Sequence, residues 1–434
     1  MTGSYRRVMF KKIAGTVVTR FLTAIITLAV VILNTNCLGA EKVGVISLLV
    51  LAAAIIQMVH GFLGGASLVY FVPRAPLMRL FLPSVIWAVI TSAGMSLLLD
   101  LFGMIPEGYL LLMMGLSLVQ SLSTITSMIL LGQERIRANN LITLAQFILL
   151  ALFIIGIYFL AGTREVEVYV YGLIFSYLLS FVLGFLMILP RFRTAAPGTT
   201  PNLLRSVATY GAAAQTANFI QLLNYRLSYY FVKGYSGLAS LGIFSTGTQI
   251  SEGLWIIPRS ISLVQFTRIS NSEDRQEAVN LTLILTKVSL LITAFLMVIL
   301  LVLPSSFFTF IFGPEFADIR IVLMTLAIGI VMFSLSVSIS PYFSGTGRPH
   351  VNTLTSAIGL LLTLAGGLTL IPRLGLAGAG LTSSISYTLS ALFQLAVFKK
   401  KEKIPLKRFL LTRDDLLFLL HVIRRQLFIK SPDV

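Results

Sequence analysis

Polar side chains recur at helical spacing inside the most apolar stretches of this 434-residue chain. Residues three, four or seven positions apart lie on one face of a helix. The residues of these polar stripes are Thr16, Arg20, Thr23, Thr27 and Asn34, then Gln215, Asn218, Gln221 and Tyr225, then Ser245, Gln249, Glu252 and Arg259. Lys287 lies in a further apolar stretch. The stripes predict the wall of a water-filled cavity, where amides, hydroxyls and cations hold a solute by hydrogen bonds and ion pairs.

Charged residues within these stretches carry the strongest signal. A charge at the middle of a bilayer costs about 2.5–3.5 kcal/mol even on the mildest scale, and such residues usually face a cavity. Each also has a structural alternative. Arg20 and Lys287 lie near enough to a span end to extend their cations to the membrane surface. Glu252 could be the buried partner of a neighbouring Arg, and Arg226 and Arg259 could anchor helix ends at the interface.

Long apolar segments are the elements that must position these residues. The chain is 56% hydrophobic and 11% charged, whereas a soluble domain has roughly 25% charged residues. A membrane-spanning helix needs about 20 apolar residues. We therefore predict an all-α polytopic membrane protein with about twelve spans. The predicted spans are 11–36, 43–70, 78–102, 107–131, 138–161, 167–190, 203–226, 237–262, 280–303, 318–341, 350–371 and 376–398.

The positive charges alternate along the chain. The formal net charge is +17, and Lys and Arg concentrate in the N-terminal arm, in every second loop and in the C-terminal tail. Loops rich in Lys and Arg stay in the cytoplasm. The pattern predicts a multi-pass membrane protein with both termini in the cytoplasm and a retained first span. It also explains the basicity without nucleic acid as a partner.

The two halves of the chain share a short repeat. Residues 38–48 (LGAEKVGVISL) contain Gly39 and Gly44, and residues 236–246 (SGLASLGIFST) contain Gly237 and Gly242. Each glycine of the second segment lies 198 residues after its counterpart in the first. A repeat of six spans enters the membrane from the same side both times, which predicts two six-helix bundles related by a pseudo-twofold along the membrane normal. The predicted domains are a first bundle (1–190), a cytoplasmic linker (191–202), a second bundle (203–398) and a basic amphipathic tail (399–434) that contacts membrane lipids.

No catalytic or metal-binding constellation accompanies these features. The three His residues do not have metal-ligand spacing, and the chain has a single cysteine, Cys37. There is no phosphate-binding loop for ATP. We expect neither an enzyme nor a bound cofactor. A membrane glycan polymerase would need acidic catalytic residues, usually on a sizeable outer loop, and the outer loops are short.

Four segments carry a resemblance to a known family. They are LGIFSTGTQISEGLWIIPRSISLVQFTRIS (241–270), FGPEF (312–316), GTGRPH (345–350) and LIPRLGLAGAGLTSSISY (370–387). In their order and their position relative to the spans, they resemble the polysaccharide-transporter and O-antigen flippase branch of the multidrug/oligosaccharidyl-lipid/polysaccharide (MOP) exporter superfamily. The resemblance implies two bundles in a V shape, alternating access and a polyprenyl-pyrophosphate-linked oligosaccharide as substrate, flipped to the outer leaflet. It leaves the polysaccharide polymerase machinery open as a partner.

The resemblance also implies roles for the polar stripes, with basic residues of the cavity contacting pyrophosphate and sugar. The predicted substrate-binding residues are Arg20, Asn34, Gln215, Asn218, Gln221, Tyr225, Arg226, Gln249, Arg259 and Lys287. Glu252 is predicted to couple transport to H⁺ or Na⁺, or only to orient Arg259. The alternative function is a cation-coupled exporter of small amphiphilic drugs. The chain lacks an acidic residue in the middle of the first span, a coupling position in drug-exporting relatives, which disfavours that alternative.

Overall fold

A computed structural model describes residues 3–190, 202–270, 274–405 and 408. These residues form helices joined by short turns, with no strand among them. The predicted all-helical membrane fold is confirmed. The helices are α1 (Gly3–Gly64), α2 (Ala66–Phe71), α3 (Leu77–Leu101), α4 (Leu110–Gly132), α5 (Ile136–Gly156), α6 (Val166–Ile188), α7 (Leu203–Gly253), α8 (Ile256–Ser270), α9 (Arg275–Val302), α10 (Ser305–Phe312), α11 (Ile319–Gly345), α12 (His350–Thr369) and α13 (Ile371–Glu402).

Two of these helices contain a sharp kink at a single glycine of the same conformation, and α13 has a third kink, of different conformation, at Gly375. Gly39 in α1 has φ 80° and ψ 176°, and Gly237 in α7 has φ 85° and ψ 176°. Only glycine adopts such a conformation without strain, because it has no Cβ. The sequence predicts a loop between the first and second spans, but one residue makes the turn and helix continues on both sides. We call the end of the molecule that holds Gly39 and Gly237 the kink end.

The segments after the two kinks cross each other closely. A Cβ on Gly44 would overlap the carbonyl oxygen of Leu238, and a Cβ on Gly242 would overlap that of Ala40. The Ser47 hydroxyl donates to the Ser245 hydroxyl at 2.7 Å, across 198 residues of chain. At this crossing, each half thus contacts the other through equivalent residues, as a two-fold relation requires.

The described helices account for the membrane-spanning character. Within the described residues, nine helical stretches are long and apolar enough to cross a membrane. Kinked α1 belongs to one of these stretches, and α7 and α8 are not among them. The count of twelve spans and the complete two-fold relation stay predictions. The span predicted over 237–262 is interrupted, since α7 ends at Gly253 and α8 begins at Ile256. α13 continues to Glu402, beyond the predicted domain boundary at 398. The predicted linker, except for Asn202, and most of the tail lie outside the described residues.

Candidate substrate cavities

The two halves are sealed together at the kink end. The backbone N–H of Ala40 donates to a carboxylate oxygen of Glu315 at 2.6 Å, so this second-half residue caps the helix segment after the α1 kink. Asn36 donates its amide to the carbonyl oxygen of Ile311 at 2.6 Å. A reciprocal contact runs from α7 of the second half to the first half, where Lys233 donates to the carbonyl oxygen of Gly103 at 3.1 Å. Loops of both halves therefore fasten onto the kinked helix of the other half.

The first part of α1, before the kink, packs against α5 of the first half, and Asn140 donates to the Thr16 hydroxyl at 3.1 Å. Within the described residues, α1 and α8 make no extensive contact. This part of α1 is exposed on two opposite faces. Val18 and Ile25 form the apolar exposed face, and Arg20 and Thr27 form the polar one. Since lipid accounts for only the apolar face, the polar face indicates an aqueous cleft beside α1.

A cavity of about 570 Å³ lies within the second half, and we call it the second-half cavity. Most of its lining side chains carry an amide or a hydroxyl, and none of them is Asp or Glu. The predicted residues Asn218, Gln221, Tyr225 and Arg259 are among them. This composition suits a neutral or anionic solute with many hydrogen-bonding groups.

Internal hydrogen bonds hold the amides of this cavity in place. Gln394 donates to the Asn352 side-chain oxygen at 2.7 Å and accepts from the Ser336 hydroxyl. The Asn352 amide donates to the Ser344 hydroxyl at 2.9 Å. The Asn224 side-chain oxygen accepts from Ser386 at 2.8 Å. Helices α7, α12 and α13 thus present amides, and α11 presents hydroxyls, in defined orientations.

A second cavity, of about 400 Å³, lies where the halves meet, and we call it the central cavity. Its first-half wall is largely apolar, with Val30 and Ile46 among its residues, and Asn34, Gln120 and Gln146 add amides. Asn34 is 5% exposed and accepts from the Tyr158 hydroxyl at 3.0 Å. The second half closes the cavity with Arg226, Tyr229 and Gln249, among others. Its lining also contains no Asp or Glu.

The two arginines that line these cavities differ in their partners. Arg226 forms two hydrogen bonds of 2.7 Å with the two carboxylate oxygens of Glu252. Both side chains are largely buried, at 22% and 11% exposure. Arg259 instead stacks over Trp255, with Cζ 5.3 Å from the ring centroid. It has no ion-pair partner within the described part of the chain. Arg259 is therefore free to bind an anion, whereas the charge of Arg226 is neutralised internally.

The structure brings most of the predicted residues to the two cavities but leaves others outside. Asn218, Gln221, Tyr225 and Arg259 line the second-half cavity, and Asn34, Arg226 and Gln249 line the central one. Gln215 packs against Gly61 at a contact between the halves. Arg20 lies on the polar face of α1 at the cleft. Lys287 is 9% exposed within the second half and lines neither cavity.

Sequence reasoning missed the contributions of α11, α12 and α13. The signal was present as polar residues four positions apart, which share a helix face. These stripes are Ser336, Ser340 and Ser344 in α11, Asn352 and Ser356 in α12, and Ser386, Ser390 and Gln394 in α13. Ser and Thr alone carry little weight because they can bond to their own helix. Only the fold shows that these stripes face one cavity.

Comparison with known proteins gives two distant sequence relatives. No family model matches the chain. It is 26% identical over 167 residues, 38% of its length, to the capsular polysaccharide biosynthesis protein CapF of Staphylococcus aureus. It is 25% identical over 112 residues, 26% of its length, to an uncharacterised membrane protein of Methanocaldococcus jannaschii. The matches span 42% and 22% of these relatives.

Solved structures establish the fold. An inward-facing multidrug-resistance MATE transporter of the MOP superfamily superposes with a TM-score of 0.67 at 14% identity, covering 87% of this chain and 94% of that one. The inward closed conformation of the lipid II flippase MurJ gives 0.62 at 14% identity, covering 96% and 93%. The chain is a multi-pass membrane protein with the fold of MOP-superfamily transporters and flippases, and the predicted resemblance is confirmed. The CapF relative fits the polysaccharide-transporter branch.

Proposed function

We propose that the protein flips a polyprenyl-pyrophosphate-linked oligosaccharide, an O-antigen or other surface-polysaccharide repeat unit, from the cytoplasmic to the outer leaflet. In this proposal the protein lies in a bacterial inner membrane with both termini in the cytoplasm, and the polar face of α1 borders a cleft toward α8 that opens to the cytoplasmic leaflet. The glycan head enters through this cleft while the lipid tail stays in the bilayer. Closing the cleft and opening the kink end then releases the head on the outer side.

One observation carries this proposal: unpaired Arg259 lies in a cavity lined by amides and hydroxyls without any carboxylate. Moving a glycan hydroxyl into an apolar medium without a replacement hydrogen bond costs several kcal/mol. The polar lining removes that cost. Guanidinium groups bind phosphate oxygens with two parallel hydrogen bonds. The membrane potential, negative inside, favours export of the anion by about 2.3 kcal/mol per charge per 100 mV.

The alternative is a cation-coupled exporter of small amphiphilic drugs on the same fold. The largely apolar first-half wall of the central cavity supports this alternative, because an amphiphile would bury its apolar surface there. A carboxylate is the usual partner of a cationic drug or a coupling ion in a membrane. Glu252 lines neither cavity and already pairs with Arg226. The lining chemistry therefore favours the flippase.

The test is the lipid-linked glycan content of cells that lack the protein. We expect glycan to accumulate on the cytoplasmic leaflet, and wild-type protein to restore the normal level. Arg259→Gln removes the free cation, and a lost hydrogen bond to a charged group costs about 1.5–3 kcal/mol. The flipping rate should fall roughly tenfold to a hundredfold, since about 1.4 kcal/mol is a factor of ten. Arg20→Ala tests the cleft in the same way.

Arg268→Gln is the matched control. Arg268 lies on the same helix but is exposed and pairs with Glu277 outside the cavity, so its loss should leave flipping unchanged. Equal effects of the two α8 variants would remove Arg259 from the proposed site. No glycan accumulation, with sensitivity to cationic compounds instead, would favour the drug exporter.

A further inference from the structure

The second-half cavity combines two kinds of wall. Tyr225 and Phe333 present aromatic surface, and Trp255 packs behind them with its ring centroid 4.7 Å from that of Phe333. The amides of Asn224 from α7, Asn352 from α12 and Gln394 from α13 lie elsewhere in the lining. A sugar ring has the matching duality, since its C–H faces are apolar and its rim carries hydroxyls. Ligand sites typically combine apolar surface with a few positioned polar groups in about 300–1,000 Å³, and this cavity of about 570 Å³ lies in that range.

The polar wall is preorganised but not saturated. The bonds among Ser336, Gln394 and Asn352 fix two amides before any solute arrives. The hydroxyl of Ser390 lines the same cavity, is fully buried, and has no hydrogen-bond partner within the described residues. Ser390 itself is closed off from a solute in this conformation, whereas the half-buried side chains of Asn352 and Ser356 are accessible and would orient a solute hydroxyl.

We infer that the second-half cavity is a saccharide subsite: it holds an uncharged, hydroxyl-rich sugar segment whose attached anionic group contacts Arg259. The inference rests on the proposed function and deepens it, because it places glycan selection within the second bundle. Sugar selectivity within this subsite then depends on α11, α12 and α13.

Trp255 supplies an intrinsic fluorescence probe of this subsite, because it packs behind the aromatic wall. The chain has two Trp residues, and the other, Trp87, lies in α3 and donates to the carbonyl oxygen of Val59. In full-length Trp87→Phe protein in lipid nanodiscs, the emission therefore comes from Trp255. The titrant is the phosphate-free glycan released by mild acid from the lipid fraction of cells lacking the protein. We expect a saturable change in emission.

Two variants test the site in different ways. Asn352→Ala removes an amide from the polar wall, and Ser356→Leu fills the cavity at a position with no described hydrogen bond to lose. Each should weaken glycan binding at least tenfold. Asn139→Ala is the matched control, since Asn139 lines a small polar cavity of the first half and accepts from Ser127. Its affinity should equal that of the parent protein.

A second titrant separates the cation from the sugar wall. Inorganic pyrophosphate should bind more weakly to Arg259→Gln, while phosphate-free glycan binds this variant as it binds the parent. Unchanged glycan affinity in both Asn352→Ala and Ser356→Leu would overturn the saccharide subsite. So would an equal loss in Asn139→Ala. Absence of accumulated lipid-linked glycan contradicts the proposed function instead, before any titration, so the two failures are distinguishable.

Discussion

At the scale of single residues, ion pairing distinguishes two arginines whose roles the residue type alone cannot distinguish. Arg226 directly follows one polar stripe of the second half, and Arg259 ends the next one. The bidentate pair with Glu252 neutralises Arg226, and Trp255 supports Arg259 without neutralising it. The structural alternative for Glu252, a buried partner of a neighbouring arginine, is the arrangement that the structure contains. Its coupling to H⁺ or Na⁺ stays a prediction.

Charge removal at Glu252 distinguishes these two roles. Glu252→Gln leaves the Arg226 guanidinium largely buried without its partner, and breaking such a pair costs about 3–5 kcal/mol. We expect a lower midpoint of thermal unfolding for the purified protein, and a recovery of most of this loss in the double variant Arg226→Gln/Glu252→Gln. An unchanged midpoint in the single variant would contradict a structural role.

Flipping rates of the same variants then address coupling. If Glu252 only balances the charge of Arg226, the double variant should flip substrate at close to the wild-type rate. If Glu252 carries the coupling ion, both variants should be inactive although the double variant is stable. The comparison is informative because the stability measurement already accounts for misfolding.

At the scale of the helical elements, the close crossing after the two kinks depends on glycine. Gly44 and Gly242 let two helices approach until backbone contacts backbone, as small residues do in membrane proteins. The kinks at Gly39 and Gly237 aim these segments at each other. The glycine repeat seen in the sequence thus allows the close contact that seals the two halves together at the kink end.

A methyl group at the crossing should open this seal. Gly242→Ala would place a Cβ against the carbonyl oxygen of Ala40, a backbone atom that cannot move aside. We expect the sealed conformation to be disfavoured and the flipping rate to fall severalfold. Gly253→Ala, in the same helix with nothing near its Cβ, should be neutral or stabilising, because Ala is the better helix former. Equal flipping by both variants would show that the crossing is not needed for transport.

At the scale of the whole molecule, the two halves contact each other mainly through α1 and α7, and the crossing after the kinks brings Ser47 against Ser245. The proposed alternating access needs a second conformation, in which the kink end is open. Rigid movement of one half against the other about the contact between α1 and α7 would produce the second conformation.

A reversible cross-link at the kink end tests this movement. In a Cys37→Ser background, the variant Ser47→Cys/Ser245→Cys places two thiols where two hydroxyls lie 2.7 Å apart. Oxidation should join them with high yield and stop flipping, and reduction should restore it. The single-cysteine variants should remain active after oxidation. Undiminished flipping by the cross-linked protein would show that the kink end does not open.

The sequence predicts much of the fold because a bilayer imposes local rules. Apolar segments of about 20 residues must form helices that satisfy their own backbone hydrogen bonds. Neighbouring residues were enough to predict most of the helical segments, the stripe from Gln215 to Tyr225 and the glycine repeat. The predicted loop at Gly39 and the unbroken span over 237–262 were wrong, because single-residue kinks and helix breaks depend on the packing around them.

The candidate site was less accessible to sequence reasoning for a different reason. Helical spacing shows which residues share a face of one helix, but not which faces share a cavity. By itself the sequence determined a polytopic helical protein with polar stripes, since bilayer insertion and helix periodicity act over a few residues. Only the tertiary structure decided that Arg226 is neutralised, that Arg259 is free, that Lys287 lies outside both cavities, and that the kink end is sealed. These outcomes depend on contacts between helices far apart in the chain, such as the one that joins Ser47 to Ser245.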